Sequence, residues 1–189
     1  MSFSKIWRSL RFIALAGVAA CSTDPSSSAS VKGPTSPESS LLSGLTALRP
    51  LQRKQPLSKD ITVSATIGAK GGRIEIPASG FTLVVPAGAV SQETHFVVTA
   101  LKGGNFAYEF SPHGTRFARP LSAKQDLSLS KNPLALAPLL KVGYFPDRSL
   151  IDPNGLSVLV SEVLPGLLDL KLLTFDFKIE HFSGYIVAW

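Results

Sequence analysis

From Ile61 onward the chain alternates apolar and polar positions with a period of two. Ile74 and Ile76 alternate with Arg73 and Glu75, and Phe81, Leu83 and Val85 alternate with Thr82 and Val84. That period marks strands with one buried and one wet face. Pro77 and Gly80 bracket the turn between these two runs. His95 to Leu101 and Phe106 to Phe110 read as a hairpin around Lys102-Gly103-Gly104-Asn105. Gly103-Gly104 suits a two-residue turn that needs positive φ at both positions. On the return run Phe106, Tyr108 and Phe110 share one face, and Ala107 and Glu109 share the other. Further strands are predicted at Asp126 to Leu129, Leu139 to Phe145, Leu156 to Val163, Leu168 to Phe175 and Phe177 to Ala188, with Pro, Gly, Asn and Asp clusters between them. The apolar runs Leu134 to Leu140 and Leu164 to Leu173 could line a groove but read as buried strands. Many short strands with close Pro/Gly turns predict an all-β fold, an antiparallel β-sandwich over residues 61–189.

The first sixty residues have a different pattern. Lys5, Arg8 and Arg11 precede the apolar run Phe12 to Ala20, which is the layout of an export signal over residues 1–20. The run is about half the ~20 apolar residues that a permanent membrane-spanning helix needs. Residues 22–40 are dominated by Ser, Pro and other small residues and offer little to pack, so residues 21–60 are expected to form a disordered tether. Leu41, Leu42, Leu45 and Leu48 allow a helical turn or two before Pro50 stops them. Arg49, Arg53, Lys54 and Lys59 read as a solvated linker, with contact to anionic headgroups as the sharper alternative.

Charge and chemistry narrow the picture further. Three cations of the predicted export signal account for half of the net charge of +6. No Lys/Arg cluster carries interleaved aromatics, so nucleic acid is not an expected partner. Cys21 is the single cysteine, which excludes an intramolecular disulfide and a cysteine-based metal cluster. His95 and His113 have no His, Cys or acid at ligand spacing, so neither a metal nor another cofactor is expected. Nothing reads Gly-x-Ser-x-Gly, and no acid pair stands out. Tyr108, Tyr144 and Trp189 would serve carbohydrate binding only if they lie at the surface.

Three stretches resemble known families. Val18-Ala19-Ala20-Cys21 resembles the lipobox of bacterial lipoproteins. The resemblance implies cleavage before Cys21, a thioether-linked diacylglycerol on its sulfur and an acylated amine. Two or more chains make a stable anchor where one does not. Ser22 follows, with no aspartate there, which by the same resemblance favours the outer membrane. Gly71-Gly72-Arg73-Ile74-Glu75-Ile76-Pro77 with Phe81-Thr82-Leu83-Val84-Val85-Pro86-Ala87-Gly88-Ala89-Val90 resembles the opening of a ZU5 domain. Phe110-Ser111-Pro112-His113-Gly114-Thr115-Arg116-Phe117-Ala118-Arg119-Pro120-Leu121 is similar to a second stretch of that family, with Ser111 in place of its usual first glycine. This implies a β-sandwich that works by binding other proteins. Pro86, Gly88 and Gly114 are expected to end strands and turn the chain.

Finally, His181-Phe182-Ser183 resembles the self-cleavage motif of some ZU5-type proteins. On that resemblance Ser183 would be the nucleophile, His181 its base and Phe182–Ser183 the scissile bond. Phe182 breaks the parity shared by Phe175, Phe177, Ile179, Tyr185, Val187 and Trp189, and Gly184 would allow a bulge there. The plainer reading is that the tripeptide closes the sandwich, since a cut would free only Ser183 to Trp189. The sequence therefore predicts a cell-envelope lipoprotein without catalysis, held to the membrane through lipid on Cys21. Its sandwich would be a protein-binding or structural module with another envelope protein as partner. A self-cleaving domain is the alternative.

Overall fold

The computed structural model describes residues 44–189; the predicted export signal, Cys21 and most of the predicted tether lie outside the described residues. The strands are β1 (Thr46–Leu48), β2 (Gln52–Leu57), β3 (Ile61–Ile67), β4 (Gly72–Ile76), β5 (Phe81–Val85), β6 (Thr94–Ala100), β7 (Gly103–Asn105) and β8 (Ala107–Ser111). They continue as β9 (Arg116–Asp126), β10 (Lys141–Phe145), β11 (Val158–Val160), β12 (Glu162–Leu164), β13 (Gly166–Asp169), β14 (Thr174–His181) and β15 (Gly184–Ala188).

Two antiparallel sheets form the sandwich. One has six strands in the order β12-β10-β15-β8-β6-β3, and the other has five in the order β13-β14-β9-β5-β4. The ribbons β1-β11 and β2-β7 flank them. The alternation of β4 and β5 lands as its period requires, with Ile74, Ile76, Phe81, Leu83 and Val85 all buried in the inter-sheet core. Phe81 stacks on Tyr108 across the two sheets, with ring centroids 4.1 Å apart.

A second core lies on the other side of the six-stranded sheet. Leu48, Phe145, Val158, Val160, Ile186 and Ala188 pack there. β15 is thus buried on both faces, Tyr185 and Val187 towards one core and Ile186 and Ala188 towards the other. A strand covered on both sides reads as a continuous apolar run, which is what the sequence shows. Gly143 of β10 makes room for this cover, because a Cβ there would overlap the Val160 side chain. Gly88 serves a turn instead: its φ of +79° is open to glycine, and its N–H donates to the Ala69 carbonyl at 2.8 Å.

Several sequence expectations are corrected. Residues 44–60 are not tether throughout: β1 pairs with β11, β2 pairs with β7, and Leu51 is fully buried. The expected helical turn at Leu45 and Leu48 is extended chain instead. Apolar Leu48 and Leu51 seat this segment, and the basic residues around them hid the pattern. Gly103-Gly104 is not a tight turn. Leu101 to Phe106 makes an excursion in which β7 pairs with β2, while β6 and β8 still pair as the expected hairpin. Leu134 to Leu140 forms short helical turns, Pro133–Leu136 and Ala137–Leu139, because Pro133 and Pro138 suit helix starts and cannot donate to a sheet ladder. Leu134 and Leu139 are exposed. Within Leu164 to Leu173, Leu167, Leu170 and Leu172 are likewise exposed, on an edge strand and its turn. The long β9 runs from Arg116 to Asp126, and the predicted strand Asp126 to Leu129 is instead the last residue of β9 followed by a 3-10 turn, Leu127–Leu129.

Candidate functional site

The His-Phe-Ser tripeptide sits where the chain leaves one sheet for the other. β14 ends at His181 in the five-stranded sheet, and β15 begins at Gly184 in the six-stranded sheet. The parity break at Phe182 is therefore a change of sheet. No bulge lies at Gly184. The register shift falls between Ile179 and His181, where β9 opposes them with Leu121 and Arg116 and carries Pro120 in between. A proline cannot donate to the ladder, so the wide bulge forms there. Gly184 meets a different need, because a Cβ on it would overlap the Phe145 ring.

The Phe182 ring fills the end of the inter-sheet core. It lies 5.2 Å from the Phe96 and Phe110 rings and 4.8 Å from Phe117. The backbone is tied on both sides. Phe182 N–H donates to the Thr115 carbonyl at 2.9 Å, Gly114 N–H to the Phe182 carbonyl at 3.0 Å, and Phe110 N–H to the Ser183 carbonyl at 2.9 Å. This explains the second ZU5-like stretch, whose Gly114 turn (φ +75°) delivers a donor to the crossover.

The expected catalytic pair is not joined. Ser183 is buried, and its hydroxyl faces the Phe145 carbonyl at 3.5 Å. His181 faces other groups: Nε2 lies 3.7 Å from Glu162 Oε2, and Nδ1 lies 3.5 Å from the Tyr185 hydroxyl. Tyr185 donates to the His181 carbonyl at 2.7 Å, and the Tyr144 ring meets the imidazole edge-on at 4.7 Å. Burial, helped by the nearby Glu162 carboxylate, pushes the Tyr185 phenol above its ordinary value. No hydrogen bond links His181 to Ser183 among the described residues. A base that activates a hydroxyl stands at about 2.6–3.2 Å from it. What the fold does assemble is a small cleft of about 220 Å³ lined by Glu162, Lys178, Glu180, His181 and Tyr185. Glu162 and Tyr185 escaped the sequence reading, since only the pairing of β10 with both β12 and β15 brings them together.

The remaining candidates scatter. His95 meets Thr66 Oγ1 at 3.5 Å, and no group of three His, Cys, Asp or Glu able to hold a metal occurs among the described residues. Tyr108 is fully buried, which removes it from any carbohydrate surface. A groove of about 740 Å³ lies between Leu48–Gln52 and Lys131–Leu136, with Arg49 and Trp189 in its wall.

Against this geometry, residues 63–103 match the family model of the ZU5 domain. The matched stretch runs from β3 through β6 and so takes in strands of both sheets. No curated protein gives a match to the chain.

Proposed function

We propose that this chain is a bacterial envelope lipoprotein, acylated on Cys21, whose sandwich binds another envelope protein. The ZU5 match at residues 63–103 is the observation that carries the protein-binding part. The lipobox-like Val18 to Cys21 carries the anchoring part, and Ser22 favours the outer membrane. The reading needs no catalysis. Self-cleavage at Phe182–Ser183 is the weaker reading, since His181 and Ser183 spend their contacts on Glu162, Tyr185 and Phe145 rather than on each other.

The intact mass of the chain from membranes of its native host tests the anchor and the self-cleavage alternative together. A species from acylated Cys21 to Trp189 is expected. An unmodified N-terminus elsewhere overturns the anchor, and a species ending at Phe182 revives self-cleavage. Crosslinking in cells followed by pulldown is expected to return one reproducible envelope protein; its repeated absence counts against the binding role.

A further inference from the structure

One end of the sandwich carries side chains that a merely water-facing surface does not need. Thr174 at the start of β14 pairs with Asp126 at the end of β9, so the turn 170–173 lies beside the 3-10 turn Leu127–Leu129. Leu127 N–H donates to the Leu173 carbonyl at 2.7 Å, and Lys131 N–H donates to the Gln52 carbonyl at 2.8 Å. Gln52 Nε2 in turn donates to the Gly155 carbonyl at 2.9 Å. Lys141 pairs with Ala188, which bridges to Pro50, so the helical turns 133–139 also reach this end. Five of the eight exposed large hydrophobic residues among the described residues therefore gather here: Leu134, Leu139, Leu156, Leu170 and Leu172. Leu156 is 71% exposed and Leu172 65%, so neither is a core residue that merely frays.

Cations stand among these leucines. Lys171 sits between Leu170 and Leu172 in sequence, and Arg49, Lys131 and Lys141 are exposed nearby. The carboxylates of this end are held back against the turns. Asp126 accepts from Ser128 N–H, Asp152 from Asn154 and Leu156 N–H, and Asp169 from Lys171 and Leu172 N–H. The leucines thus project on separate turns, with long cationic side chains beside them. Lysine is depleted at the core of protein–protein interfaces. Leucine tips with cations at their base suit a bilayer, where the leucines reach the acyl boundary and the cations meet phosphates. Arg49 lies over the Trp189 ring at 5.4 Å in the groove between these turns, and tryptophan too favours the headgroup level.

We infer that this end of the sandwich docks on the surface of an anionic phospholipid bilayer. The docking goes beyond the protein-binding role and does not need the lipid on Cys21. The test uses the full chain with Cys21→Ala and Leu172→Cys, labelled at position 172 with a polarity-sensitive fluorophore. A local label is needed because the apolar run Phe12 to Ala20 has membrane affinity of its own. Vesicles of phosphatidylcholine with phosphatidylglycerol are expected to shift the emission to the blue, and pure phosphatidylcholine vesicles to do so less. A label at Ser91, in the loop at the opposite end, is expected not to shift. Leu156→Ser and Leu170→Ser are each expected to raise the lipid concentration at half-shift by on the order of tenfold. Lys131→Gln with Lys171→Gln, which leaves Arg49 and Lys141, is expected to weaken the preference for the anionic vesicles. Thermal melts of these variants should match the parent, since all four side chains are exposed. No shift at position 172, or equal shifts at 172 and 91, overturns the docking and leaves the leucines to a protein partner. The acylation of Cys21 stands or falls separately on the intact mass.

Discussion

A guanidinium buried in a protein needs acceptors or a counter-charge, and among the described residues Arg53 has only acceptors. It is 2% exposed. Its Nε donates to the Asn105 carbonyl at 3.0 Å and its Nη1 to the Ser79 carbonyl at 3.2 Å, while its charge lies over the Phe106 ring at 4.3 Å. Gln125 Nε2 converges on the same Ser79 carbonyl at 2.9 Å, and Tyr108 donates to Gln125 Oε1 at 2.5 Å. Burial pushes the Tyr108 phenol above its ordinary value in spite of the nearby Arg53 charge. The network fixes β2 to the core. Arg53→Ala would take the Nε donor from the Asn105 carbonyl, at about 1–3 kcal/mol for an unpaired buried group, and would open space over the Phe106 ring, while the Ser79 carbonyl keeps Gln125. A loss of about 3 kcal/mol in the urea unfolding free energy is expected. Arg53→Lys should recover little of it, since one ammonium cannot replace a planar fork over an aromatic ring. Phe182→Ala should cost about 3–5 kcal/mol by the same measurement, as a large ring lost from a packed core does. A cost below about 1 kcal/mol would mean that the crossover is not closed by this ring.

At the scale of elements, the six-stranded sheet is sealed on its outer side by a ribbon that depends on one missing side chain. Gly143→Val would drive methyl groups into Val160 and lift β1-β11 off the sheet. Overpacking of this kind costs about 1–3 kcal/mol. Hydrogen exchange is expected to show Thr46 to Leu48 losing protection while β4 and β5 keep theirs. Unchanged protection in β1 would mean that the ribbon is held elsewhere. The contrast between β1 and β4 also shows what the sequence reveals. β4 and β5 were legible because one face is wet and the period of two is unbroken. β1 and β2 were not, because Leu48, Leu51 and buried Arg53 are spaced by strands too short or too basic to show a period. The turns at 133–139 looked like strand because apolar composition alone does not distinguish a buried strand from exposed leucines. At the candidate site, the parity break at Phe182 was visible, but it read as a bulge within one strand from Phe177 to Ala188 rather than as a change of sheet. The Glu162–His181–Tyr185 grouping was hidden, since it depends on strand pairing that spans residues distant in sequence.

At the scale of the whole molecule, the two ends of the sandwich differ. Phe182 plugs one, and exposed leucines rim the other. Between them a surface cluster fastens the corner before β3 to β8 and to the turn after β10. Arg148 forks onto both Glu109 oxygens and reaches Asp60 Oδ2 at 3.1 Å. These contacts, Glu109 foremost, hold the Arg148 guanidinium above its ordinary value. Isolated surface pairs contribute little, but Asp60 also accepts from the Lys102 amide at 2.8 Å. That amide first, and Arg148 after it, hold the Asp60 carboxyl below its ordinary value of 3.8. A carboxyl depressed in the folded state stabilises the fold above the unfolded value, and the contribution is lost as pH falls through the folded one. The urea midpoint of the parent chain is therefore expected to fall as pH drops below 3.8, the ordinary Asp60 value. Asp60→Asn keeps an acceptor for the amide but cannot carry the charge. It should start from a lower midpoint at neutral pH and fall less steeply, so that the two curves converge in acid. Parallel curves would mean that Asp60 titrates alike in the folded and unfolded chains, and that the cluster does not fasten these loops through charge.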